Sequence, residues 1–155
     1  MLSRRIQERV PSARAVTTGK LLGHKLMWHK RSTDSSGKCD ILFTGIATDI
    51  VWGVLFEITL SEKPALDRAE GLGSGYEEKA VEILACTGPM NAIAYFATSI
   101  DSSRAPYTWY KSLVVAGARE HKLPSAYVME LKSVLSIADA DEGRCARAEA
   151  LLHGG

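Results

Sequence analysis

The chain has 155 residues, 46% of them hydrophobic and 24% charged, with a formal net charge of +1. That length suits one globular domain over residues 1–155, with a C-terminal helix or tail from about 139 to 155, and the near-neutral charge excludes an overall polyanion binder. No apolar run approaches the roughly 18 residues needed to cross a membrane, and the dispersed Cys39, Cys86 and Cys145 form neither a disulfide framework nor a paired metal-ligand motif. The expectation is a cytoplasmic protein without membrane or nucleic-acid partner.

Leu2, Ile6 and Val10 recur at helical spacing and Pro11 ends the run, so Leu2 to Val10 is predicted as a helix. Val16 to His29 alternates as a strand pair or one long bent strand, with Leu22, His24, Leu26 and Trp28 on one side and Lys25, Met27 and His29 on the other. The loop Ser32 to Lys38 follows, then strands over Ile41 to Ala47 and Val51 to Ile58, and a short helix over Pro64 to Ala69. Tyr76 to Leu84 and Ala92 to Thr98 form a predicted hairpin through Thr87-Gly88-Pro89. Tyr107 to His121, Pro124 to Leu135 and Asp139 to His153 are the predicted helices that close the chain. Strands first and helices later is an α+β arrangement, with a curved or closed antiparallel-rich sheet and helices outside it.

Charge is unevenly spread. Before residue 39, Arg4, Arg5, Arg9, Arg14, Lys20, Lys25, Lys30, Arg31 and Lys38 face only Glu8 and Asp34. A basic front of this kind attracts nucleic acid or anionic small molecules. No aromatic residue interleaves with it before Trp28, which disfavours nucleic acid.

Several familiar constellations fail. Gly71-Leu72-Gly73-Ser74-Gly75 lacks the spacing and the preceding strand of a dinucleotide fingerprint, and Leu72 and Tyr76 stand where a nucleophile elbow at Ser74 needs glycine. His24 and His29, five apart on a strand, point to opposite faces and read as packed or surface histidines. His121 follows a helix end, where a positive charge complements the dipole. Trp52 and Trp109 read as core.

Glu70 is the carboxylate that invites a chemical reading. Gly71 can end the helix in a left-handed conformation, which leaves Glu70 in the last turn, where the electronegative helix terminus and burial both push a carboxyl pKa upward. A general base working near neutral pH needs such a shift. The alternative is a solvated glutamate on a surface turn.

Val51-Trp52-Gly53-Val54, then Leu66-Asp67-x-x-Glu70-Gly71, then Ser74-Gly75-Tyr76, then Tyr110-Lys111 opening a helix that ends in Gly117-Ala118-Arg119-Glu120 and Leu123-Pro124, resembles the gamma-glutamylcyclotransferase family. Arg5-Ile6, Pro11-Ser12-Ala13 and the loop from Asp34 to Asp40 are also similar to it, and the resemblance runs from Met1 to about Leu135. It implies an α+β fold, a small mixed β-barrel with flanking helices, and conversion of gamma-glutamyl amino acids or amines into 5-oxoproline and a free amine. It makes Glu70 the general acid/base and Tyr110 and Tyr76 substrate contacts, with no metal and no cofactor. Without it, Tyr110 reads as a core tyrosine on a first helical turn, and Tyr76 as a pocket wall.

Members of the family begin with a strand that leads into a Tyr-Gly-Ser-Asn turn. Met1 stands where that turn would end, so the first strand is expected to be absent, through a start codon assigned to an internal methionine or through a short form. The alternative function that follows is a non-catalytic module of the same fold, binding small carboxylates or a partner chain.

Overall fold

The computed structural model describes residues 1–154. A short helix α1 (Ser3–Gln7) leads into strands β1 (Arg14–Leu22), β2 (His24–Arg31), β3 (Gly37–Phe43) and β4 (Ile50–Glu57). A 3₁₀ turn (Leu60–Glu62) and helix α2 (Lys63–Glu70) precede the hairpin β5 (Tyr76–Ala85) and β6 (Gly88–Ala97). Helices α3 (Thr108–Glu120), α4 (Ser125–Ser133) and α5 (Glu142–His153) complete the chain. All six strands precede the three longest helices, α3 to α5, as the α+β reading expects, with α1 before them and α2 between β4 and β5.

The strands form two antiparallel sheets, ordered β4-β1-β5-β6 and β2-β3. No closed barrel forms among the described residues, and every pairing between these strands is antiparallel, which corrects the expected mixed barrel. The physical reason is how the two sheets join. β4 runs against β1 from Arg14↔Glu57 to Leu22↔Ile50, and neither pairs with β2 or β3. The small sheet bridges the chain just beyond β6 at Lys30↔Ile100, and meets the large sheet through Tyr76, which donates to the Cys39 carbonyl, and through Asp40, which accepts from Ala97 N–H at 2.7 Å and from His29 Nε2 at 2.8 Å.

The predicted run Val16 to His29 is divided at Gly23, whose φ of 70° turns the chain out of one sheet and into the other. That corner breaks the alternation read across Leu22 and His24. Leu21 is buried and Leu22 exposed, and His29, expected to share a face with Lys25 and Met27, is buried against Asp40. β3 starts at Gly37, earlier than predicted, because this glycine is pressed against the carbonyls of Trp28 and Arg104, where no Cβ would fit.

Three apolar clusters hold the layers together. Val115, Ala118, Leu123, Tyr127, Val128 and Leu131 of α3, α4 and the loop between them pack on Leu26, Trp28 and Trp52. Leu21, Val51 and Phe96 lie between the sheets. Ile6, Val10 and Ala13 pack against Phe56, Ile58 and Leu66, which seats α1 beside α2. Ile6 and Val10 are both buried, as their helical spacing predicts, although the helix itself stops at Gln7.

Candidate active site

Glu70 is the last residue of α2, and Gly71 follows at φ 77° with its N–H bonded to the Asp67 and Arg68 carbonyls. Pro64 sits in the first turn of the helix, which starts at Lys63, and the left-handed glycine ends it, as the local sequence predicts. The carboxylate is neither a solvated surface group nor unpartnered. Its side chain is 17% exposed, and Arg9 Nη1 donates to Oε1 at 2.8 Å. The guanidinium stabilises the anionic carboxylate whereas the helix terminus disfavours it, so the two act in opposite senses.

Tyr76 and Tyr110 converge on the backbone of one residue, Cys39. Tyr76 O–H donates to the Cys39 carbonyl at 2.7 Å, and Cys39 N–H donates to the Tyr110 hydroxyl oxygen at 3.1 Å. The need arises in β3. Between Met27↔Asp40 and Lys30↔Lys38 the β2–β3 register shifts, and Cys39 falls in that irregularity without a paired residue across the ladder. A buried peptide cannot stay unbonded without cost, and the tyrosines replace the missing strand partner. Because Tyr110 accepts that bond, its own proton remains for a second partner.

Burial pushes the phenols of Tyr76 and Tyr110 far above the ordinary tyrosine range, so both stay protonated donors at any physiological pH. The Cys39 thiol is pushed up to about 11 by burial, which leaves it unreactive.

These side chains line one cleft of about 950 Å³, large enough for a small peptide. Most of its cations come from the basic front of the sequence, and α2 adds Lys63 and Arg68. Lys38 Nζ sits 4.7 Å above the Tyr110 ring and 4.8 Å from Trp109, and pairs with Asp34 at 2.7 Å. Arg5 Cζ lies 5.2 Å from the Tyr110 ring centre, and Lys30 Nζ 4.8 Å from that of Tyr76. Gly75 makes room for Lys30, since a Cβ there would press to 3.0 Å against its Cε and Nζ.

Glu70, Tyr76 and Tyr110, the residues singled out in the sequence, thus share one cleft. No role was assigned to Arg9, Arg5, Lys30 or Lys38: the excess of positive charge before residue 39 was the signal for all four, and Arg5 and Lys38 also fell in segments that resemble the family. His24 and His29 stay apart: His29 bonds Asp40, and His24 packs edge-on to Phe43 and Phe96. His121 does stand at the end of α3, but burial lowers its pKa, which works against the positive charge expected there. Trp52 packs against the α3–α4 cluster with Lys20 over its ring, and Trp109 bonds Asp139 through its indole N–H with Lys38 over its ring.

The sequence pattern of the AIG2-like family matches residues 50–131. Gamma-glutamylcyclotransferase of Homo sapiens is 32% identical over 143 residues, covering 86% of this chain and 73% of that protein, and the Mus musculus protein of the same name gives the same figures. A solved structure titled gamma-glutamyl cyclotransferase superposes with a TM-score of 0.85 at 26% identity, covering 99% of this chain and 93% of the other. An uncharacterized protein from Homo sapiens superposes with a TM-score of 0.82 at 27% identity, over 96% and 92% of the two chains.

Proposed function

Because the chain belongs to the AIG2-like, gamma-glutamylcyclotransferase family, we propose that it converts a gamma-glutamyl amino acid or amine into 5-oxoproline and the free amine, with Glu70 as general acid and base. The observation that carries this reading is the position of Glu70, a carboxylate held in one orientation by Arg9 on the wall of a cleft whose tyrosines stay protonated.

The substrate brings both reacting groups. Its α-amine nitrogen attacks its own γ-carbonyl carbon, a carbon–nitrogen bond closes the five-membered ring, and the original amide carbon–nitrogen bond breaks. Glu70 takes one proton from the attacking amine and returns one to the departing nitrogen, so charge and atoms balance without a second reactant. Holding the chain in the ring-closing conformer supplies much of the acceleration, since effective molarities on the order of 10⁵ M or more attend well-oriented intramolecular attack. Tyr110, whose oxygen accepts from Cys39 N–H, can offer its proton to the carbonyl oxygen as negative charge develops there.

The test is to incubate purified protein with gamma-glutamylalanine and quantify products by chromatography. Equimolar 5-oxoproline and alanine are expected. Binding of the dipeptide with no product would overturn the enzymatic reading and favour a non-catalytic carboxylate-binding module.

A further inference from the structure

The cations that line the cleft are unequal: Lys63 is paired with Asp67 and Glu78, and Arg31 and Arg68 are exposed to solvent. Arg9 is paired with Glu70, and Lys38 with Asp34. Arg5 and Lys30 have no carboxylate partner and no hydrogen-bond acceptor among the described residues. Both are half-buried and each packs on a tyrosine ring. A cation that has lost part of its water without gaining an anion is costly to keep, and the cleft it faces is where an anion can be received. Burial lowers the pKa of Arg5, and the positive charges of Arg5 and Lys30 both act on Lys38, so the three share one field.

Their positions differ in a way that assigns each a role. Arg5 lies in α1 and Arg9 in the turn that follows it, and both line the cleft beside Glu70, whose charge acts on Arg5. Lys30 comes from β2 on a separate wall. It extends over Gly75, in the loop that leaves Glu70, and onto Tyr76. In a gamma-glutamyl amino acid the α-carboxylate shares a carbon with the attacking amine, and the second carboxylate belongs to the departing group. The first must lie close to Glu70, and the second lies beyond the scissile bond.

We propose that Arg5 receives the α-carboxylate and Lys30 the carboxylate of the departing amino acid, which makes Lys30 the residue that separates gamma-glutamyl amino acids from gamma-glutamylamines. This assignment rests on the cyclotransferase reading for the orientation of the ligand. The preference it predicts is one of binding, and it is measured separately from turnover.

The experiment compares gamma-glutamylalanine with gamma-glutamylethylamine, which lacks only the second carboxylate, by calorimetric binding and by 5-oxoproline release. The unmodified chain is expected to bind the alanine compound roughly tenfold more tightly, as a charge-assisted bond to a half-buried lysine warrants. Lys30→Met is expected to bring that ratio close to one, whereas Arg5→Met weakens both ligands by a similar factor and keeps the ratio, with Arg5→Lys recovering part of the loss. Lys30→Gln, neutral and still polar, is measured beside Lys30→Met with thermal melts, so that misfolding is separated from lost recognition. A ratio near one in the unmodified chain, or a ratio that survives both Lys30 variants in folded protein, overturns the assignment. Preferential binding without 5-oxoproline release overturns the cyclotransferase reading and leaves the anion site standing.

Discussion

Arg9 Nη1 donates to Glu70 Oε1 at 2.8 Å and joins the turn after α1 to the last residue of α2. The contact fixes which way the carboxylate points, since Gly71 and the loop beyond it offer no side chain that restrains it. The packing of Ile6 and Val10 against Leu66 keeps the two elements together.

Arg9→Met removes the orienting charge and keeps much of the volume. The expected result is a fall in kcat/KM for gamma-glutamylalanine of roughly tenfold to a hundredfold, because misplacing a catalytic group by about 1 Å costs that much. Arg9→Lys should recover part of it. Full activity in Arg9→Met would show that Glu70 needs no such support.

Glu70→Gln preserves shape and removes the proton acceptor. General acid–base catalysis contributes about 10²–10⁴-fold, so 5-oxoproline release should drop by that factor. Loss of the ion pair with Arg9 should shift stability by about 1 kcal/mol or less. Circular-dichroism melts check the fold, and an active Gln variant would rule out the assigned role.

Tyr110→Phe leaves Cys39 N–H without an acceptor, and Tyr76→Phe leaves the Cys39 carbonyl without its donor. Each is expected to destabilise the protein by about 1–3 kcal/mol in urea unfolding. Because both hydroxyls hold the backbone of the same residue, Cys39, the double variant should depart from additivity by more than about 0.5 kcal/mol. Strict additivity would mean that the two bonds act independently.

Asp34 titrates below the ordinary carboxylate range. Burial by itself would raise its pKa, but donation from Lys38 and Ser36 outweighs that and brings it down to about 2. A depressed folded-state pKa contributes stability that is present above the unfolded value of about 3.9 and is lost as the pH falls through the folded one. The stability difference between the unmodified chain and Asp34→Asn should therefore be constant above about pH 5 and shrink between about pH 4 and 2. Urea unfolding across that range reads it directly, and a difference that stays flat would exclude the linkage.

Much of the local structure was legible because local forces set it. Pro64 and Gly71 delimit α2 through their own backbone preferences, and Ile6 and Val10 are buried as their spacing requires. The hairpin of β5 and β6 is in place from Tyr76↔Ala97 to Ala85↔Gly88. The strand run ending at His29 was read less well. Gly23 looks like an ordinary small residue in an alternating segment until the chain is seen to change sheets there, and the irregularity between Met27 and Lys30 reverses the face that His29 takes.

By itself, the sequence determined the α+β order of elements, the placement of Glu70 beside a left-handed glycine, and a pattern that identifies the family. Each depends on neighbouring residues or on their order along the chain. Only the tertiary structure decided that Arg9 would hold Glu70, that Tyr76 and Tyr110 would bind the C=O and N–H of Cys39, and that the strands would form two sheets instead of a closed barrel. Those contacts join residues distant in sequence through sheet register and helix packing. Hydrophobic periodicity encodes which face of an element is buried, but not which polar group on another element it will meet.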